Sequence, residues 1–229
     1  MIFLALDTHD AIEVGENIGV GGMVFPAIEA DALWIVTKPS GETIEIRGRA
    51  NRLGIVRGET LVPANEPGIY SIKTAVTWDG MVGDIVGTKD GVYWHCAIPR
   101  DNPPLLKLSG APVRSVDPSG VTDIILTWPT DLETPTIHYG LIMPGQVLDQ
   151  GIEKPDENQW SYPLEPMQIA TQFPNFDVRY FGTGKPALAD TVVFQFFMEA
   201  TRNGQKVYDS LRLVLRGDKL YNFAAIAGE

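Results

Sequence analysis

Apolar and polar residues alternate with a period of two in short runs rich in Val, Ile, Thr, Tyr and Trp, and turn-forming pairs cut these runs at near-regular intervals. The pairs are Ser40-Gly41, Asp79-Gly80, Asp90-Gly91, Ser119-Gly120 and Asn203-Gly204. Successive side chains of a strand point to opposite faces, so the pattern predicts half-buried strands in antiparallel sheets. No stretch of ten or more residues places apolar side chains at i, i+3, i+4 and i+7. The segment LEPMQIATQF, residues 164–173, is expected to form at most a short helix or a strand. With 23 Gly and 17 Pro in the chain, long helices are further disfavoured.

The strongest local signal lies near the C-terminal end. Residues 191–201, TVVFQFFMEAT, and 205–216, QKVYDSLRLVLR, flank Arg202-Asn203-Gly204-Gln205. Asn and Gly tolerate positive φ and so suit a two-residue type I′ turn, which fixes the register of the strands it joins. That register sets Val192 opposite Leu215, Phe194 opposite Leu213 and Phe196 opposite Leu211. Gln195 then faces Arg212 on the other side. Turn chemistry and hydrophobic pattern thus agree independently.

At 229 residues the chain fits two domains of roughly 100–130 residues each, the commonest size range. The segment Pro99-Arg100-Asp101-Asn102-Pro103-Pro104 is the best linker candidate and places the boundary near residue 104, giving domains 1–104 and 105–229. No repeat of 20–50 residues is visible, so the halves are related in class at most.

In the first half, Glu66-Pro67-Gly68-Ile69-Tyr70-Ser71-Ile72 opens the alternating strand IYSIKTAVTW, in which Tyr70, Ile72, Val76 and Trp78 share one face. This resembles the tyrosine corner of immunoglobulin-like sandwiches, in which the Tyr hydroxyl bonds back to the preceding backbone. Ile72 stands where antibody domains carry a Cys. Upstream, Trp34 in ALWIVTKP matches the core Trp of such domains, and GENIGVGGMVFP supplies an earlier strand. The resemblance covers roughly residues 10–98 and points to the disulfide-free modules of bacterial surface and secreted proteins. It implies an extracellular or cell-surface setting and names no ligand. The fold expected for the whole chain is all-β, two tandem antiparallel β-sandwich domains of which the first is immunoglobulin-like.

Charge narrows the partners. A formal net charge of −11 would repel phosphate backbones and anionic lipid, so nucleic acid is not expected as a partner. Hydrophobic residues make up 44% and charged residues 21%, and there are nowhere 18 consecutive apolar residues, so no membrane insertion by this segment is expected. The N-terminal MIFLAL is too short for the apolar region of a signal peptide. The one cysteine, Cys96, lies in GVYWHCAIP, where alternation puts Trp94, Cys96 and Ile98 on one face, and it reads as a small buried hydrophobe.

Catalytic signatures are sparse. His9, His95 and His138 fall in separate segments without the close partner of a metal pair, and no G-x-S-x-G, P-loop or G-x-G-x-x-G sequence occurs. Neither a metal nor a cofactor is expected. Asp149, Glu153, Asp156 and Glu157 gather in VLDQGIEKPDENQW, which reads as a solvated Pro- and Gly-containing loop whose spacing matches no EF-hand. Among Trp128, Tyr139, Trp160 and Tyr162, Trp128 follows Ile124 and Leu126 in register and is expected in the core. Trp160 and Tyr162 flank Ser161 in a polar, proline-bounded segment and are expected to be exposed, where aromatic faces could stack on sugar rings. The reading is a non-catalytic structural or interaction module with a protein or glycan partner. The alternatives are a carbohydrate-binding module using Trp160 and Tyr162, or a small β-sandwich hydrolase built on paired carboxylates.

Overall fold

The structure is a computed structural model that describes residues 3–5, 10–78, 81–83, 92–143, 146–172, 178–181, 185–188 and 191–226. The turn pairs at 79–80 and 90–91 and His9 lie outside the described residues. The chain divides into two compact units, Met1–Pro103 with Pro144–Gln150, and Pro104–Met143 with Gly151–Glu229. The architecture is all-β.

In the first unit the strands are β1 (Phe3–Ala5), β2 (Asp10–Glu13), β3 (Asn17–Ile18), β4 (Gly21–Phe25), β5 (Asp31–Thr37) and β6 (Thr43–Arg49). They continue with β7 (Ile55–Arg57), β8 (Val62–Pro63), β9 (Gly68–Trp78), β10 (Met81–Gly83) and β11 (Val92–Ile98). One sheet runs β1-β4-β7, with β3 paired to β8, and the other runs β2-β11-β9-β5-β6 with β10 on β9. Alternation puts one face of each sheet inward, and the two inner faces share a core of Ile18, Val24, Trp34, Ile46, Val56, Tyr70 and Ile72, among others.

The corner forms as the sequence implies. Tyr70 is fully buried, and its hydroxyl donates to the Glu66 carbonyl at 3.0 Å while accepting the Glu66 N–H at 3.1 Å. Trp34 is equally buried on β5, where it stands beside Thr74 of β9 and Ile46 of β6. With its two sheets, buried strand Trp and tyrosine corner, this unit has the immunoglobulin-like arrangement. The alternation pattern carries no strand direction, and here one expectation is corrected: β2 joins β11 in parallel, from Asp10 beside His95 to Glu13 beside Ile98. The rest of that sheet is antiparallel.

The strands that follow are β12 (Lys107–Leu108), β13 (Val113–Ser115), β14 (Thr122–Thr127), β15 (Glu133–Met143), β16 (Gln146–Glu153) and β17 (Gln159–Leu164), all in the second unit except residues 146–150 of β16, which count with the first. Then come α1 (Pro166–Gln172), β18 (Val178–Phe181), β19 (Lys185–Leu188), β20 (Thr191–Arg202), β21 (Gln205–Arg216), β22 (Lys219–Tyr221) and α2 (Phe223–Ile226). The sheets are β12-β14-β17 and β13-β22-β21-β20-β15-β16, with β18 paired to β19. Residues 166–172 thus take the helical alternative open to them. The segment expected as one acidic loop is strand as far as Glu153, leaving only residues 154–158 as a loop, because Val147, Leu148 and Gln150 are buried and hold the chain extended.

The β20–β21 hairpin has the expected register, with Phe194 opposite Leu213, Phe196 opposite Leu211 and Val192 opposite Leu215. Asn203 and Gly204 turn it at φ of 51° and 75°. Phe194, Phe196, Leu211 and Leu213 are all buried. Gln195 stands opposite Arg212 as expected, and it is buried, as is Phe197 two residues on. The middle of β20 is therefore covered on both faces, which its unbroken FQFFM run reflects.

Candidate functional site

The three-stranded sheet of the second unit positions the candidate site. On β14, odd-numbered residues bond toward β12 and even-numbered residues toward β17, as the Ser109 N–H to Ile125 carbonyl (2.9 Å) and Trp128 N–H to Asn158 carbonyl (3.2 Å) bonds fix. On β17 this leaves the backbone groups of Gln159, Ser161 and Pro163 directed away from β14, along an edge that no strand pairs among the described residues. Pro163 contributes a carbonyl but no N–H there.

Side chains alternate the same way. Gln159, Ser161 and Pro163 are exposed, whereas Tyr162 and Leu164 are buried and Trp160 is half-buried. The inner face of β17 therefore carries Trp160 opposite Leu126 and Tyr162 opposite Ile124, and Trp128 is buried beyond them as expected. These rings meet the hairpin: Trp160 lies 6.1 Å from Phe196 and Tyr162 5.9 Å from Phe194, both edge-on, centroid to centroid. Tyr139 of β15 lies 5.3 Å from each of Trp160 and Tyr162. It is seated against Gly151, where a Cβ would come within 2.6 Å of the tyrosine oxygen, so only glycine admits this ring position.

Tyr162 is thus a core residue and not the exposed platform expected from its polar neighbours. The polar residues Gln159 and Ser161 mark the outer face, and period two sends the aromatics inward. Trp160 keeps one exposed margin. On the outer face lies a groove of about 490 Å³ lined by Asp123, Ile125, Pro155, Asp156, Glu157, Gln159 and Ser161, with the strand at Trp160 between the last two. Asp123 and Ile125 rise from the outer face of β14, and the 154–158 loop forms the far wall. No ion pair engages Asp123, Asp156 or Glu157 among the described residues, and no Lys or Arg lines the groove beside them. Pro155 and Asp156 also line a second groove, which holds Lys154, Glu199 and Lys206. Sequence reasoning singled out Asp156 and Glu157 but missed Asp123, which only strand pairing brings opposite Pro163.

Buried titratable groups lie elsewhere. His95 of β11 is almost fully buried, neither ring nitrogen has a hydrogen-bond partner, and burial lowers its pKa to about 4 against a smaller opposing pull from Asp10. His138 of β15 is lowered to about 4 by burial as well, with Glu199 opposing. Asp209 of β21 is buried and accepts the N–H groups of Leu105, Leu106 and Ser210, and burial raises its pKa despite those bonds. It anchors the chain where it enters the second unit. Cys96 is buried. Among the described residues no three His, Cys, Asp or Glu side chains are placed to hold a metal ion, and no helix is long and apolar enough to cross a membrane.

No protein-family model and no curated protein matches the sequence. Solved structures with some likeness include a tetra-tandem repeat from the extending region of a large adhesion protein, with 11% identity and a TM-score of 0.32 over 93% of this chain and 48% of that one. The chain therefore spans about half the length of that structure. Others are CBD12 of CALX1.2, with 5% identity and a TM-score of 0.31 over 89% of this chain and 83% of that one, and the calcium binding domain CBD12 of CALX1.1. The latter has 6% identity and a TM-score of 0.31 over 90% and 82%. At such overlap these likenesses carry no functional argument.

Proposed function

We propose that the chain is a non-catalytic interaction module of a surface or secreted protein, and that it engages its partner on the outside of a sandwich. The observation that carries this reading is the groove on the outer face of β14 and β17, charged and bordered by an open strand edge. The spaces between the sheets are filled by side chains from Trp34 and Tyr70 in one unit to Phe194 and Phe196 in the other, so recognition is left to faces, edges and loops. The disulfide-free immunoglobulin-like first unit supports placement at a bacterial cell surface or outside the cell.

A second reading, carbohydrate binding, draws on the half-buried Trp160 at the strand edge and on the polar groups of Gln159, Ser161 and Asp123 in the adjoining groove, which could meet sugar hydroxyls. A thermal-shift screen of the full chain against glycans, peptides, nucleotides and divalent ions tests both, since a ligand at 100 times its dissociation constant adds about 2.7 kcal/mol to stability. The module reading expects no shift with nucleotides. A shift with glycans that Trp160→Ala abolishes would select the carbohydrate reading, and turnover of a glycoside substrate would overturn the non-catalytic one.

A further inference from the structure

We propose that β17 is a docking edge for a short, extended, basic peptide segment of a partner protein, which adds as a fourth strand to the β12-β14-β17 sheet; this deepens, and rests on, the interaction-module reading. Two independent features converge there. The backbone N–H and C=O groups of Gln159 and Ser161, with the carbonyl of Pro163, point outward along an edge with no pairing strand among the described residues. An unpaired edge is a template for strand addition, in which main-chain hydrogen bonds give affinity and alternate side chains give specificity. The missing N–H of Pro163 ends the template, so the docked strand is short.

Charge then selects the occupant. An added strand would lie about 4.8 Å from β17, with alternate side chains on the outer face of the sheet. There they meet the groove holding Asp123, Asp156 and Glu157, none of them ion-paired among the described residues. Lysine or arginine at alternate positions would supply the opposite charge through long, flexible stems lying over Ile125 and Pro155. The intervening side chains face inward beside the exposed margin of Trp160, where apolar, β-branched residues fit best. The partner is thus described by its pattern: cationic and apolar residues in alternation, without proline at the bonding positions.

The test uses the whole chain and a fluorescein-labelled peptide of repeated Lys-Val-Lys-Thr, with a Glu-Val-Glu-Thr peptide as the charge control. Anisotropy is expected to show binding of the lysine peptide only, weakened several-fold when salt rises from about 50 mM to about 500 mM. Combined Asp123→Asn, Asp156→Asn and Glu157→Gln should weaken it by about tenfold, equivalent to about 1.4 kcal/mol. Amide exchange at Gln159 and Ser161 should slow in the complex. N-methylation of alternate peptide bonds should abolish binding, a control that leaves the protein and its folding untouched. No binding of the lysine peptide, equal binding of the glutamate peptide, indifference to N-methylation or unchanged exchange at Ser161 would each overturn the docking edge. The module reading would survive those results and falls only with the catalytic outcome described above, so the two failures are distinguishable.

Discussion

The two units reach the same architecture by different means. In the first, aliphatic side chains fill most of the shared core, and a single hydrogen-bonded corner, Tyr70 on Glu66, ties a loop to the sheet. In the second, five aromatic rings from Tyr139, Trp160, Tyr162, Phe194 and Phe196 join the facing sheets, and a two-residue turn sets the register. A corner fixes geometry through one polar contact of modest net strength, whereas an aromatic cluster concentrates both geometry and energy in a few large buried surfaces. Loss of a ring from the second unit should therefore cost far more than loss of the hydroxyl from the first.

The largest expected effect is that of Phe196→Ala. The ring is fully buried and packs edge-on to Trp160, and its loss should cost about 3–5 kcal/mol through lost contact and the cavity left behind. Urea denaturation followed by amide exchange in β20 and β21 would measure it. A cost below about 1 kcal/mol would mean that the aromatic cluster is not what holds the sheets.

Acid should act on both units through one histidine each, His95 buried and His138 half-buried. With folded-state pKa values near 4 for His95 and His138, and about 6.5 in the unfolded chain, the unfolded state takes up protons first as pH falls. Stability from each group is thus fully present above about pH 6.5, declines between pH 6.5 and 4, and changes no further below that. For the more deeply buried His95 the loss should approach about 3 kcal/mol, and His95→Leu should flatten the dependence in the amides of β9 and β11. A stability profile flat from pH 7 to 4 would refute the placement of both rings.

Removing the carboxylate in Asp209→Ala leaves the buried N–H groups of Leu105 and Leu106 without their acceptor, and should cost about 2–3 kcal/mol. Asp209→Asn, which keeps one acceptor oxygen, should lose less. Equal losses from the two substitutions would show that packing, not the amide bonds, dominates. The smallest effect belongs to Tyr70→Phe, which keeps the ring and deletes only the hydroxyl; about 1 kcal/mol is expected, seen as a modest drop in denaturation midpoint. A drop matching that of Phe196→Ala would erase the contrast between the two units.

Much of this was legible in the chain. Asn203-Gly204 and the alternation on either side of it are local facts, so the hairpin and its register could be read before any tertiary contact was known. Tyr70 behind Glu66, and Trp34 upstream, announced the corner and its core for the same reason: short-range geometry repeats wherever the motif folds. The candidate groove was only partly legible. Asp156 and Glu157 stood out as acidic neighbours, but Asp123 lies over thirty positions earlier and joins them only when β14 pairs with β17.

What the sequence by itself determined was therefore strand content, turn positions and the side chains that share a face, because these follow from a backbone period of two and from residues that tolerate positive φ. The tertiary structure decided which face is covered. It turned Tyr162 inward against Phe194, buried Gln195 in the sheet, and set β2 parallel to β11. Period two divides a strand into two sets of side chains without saying which set meets the facing sheet. That choice depends on contacts made by residues far apart in the chain, and on the water those contacts exclude.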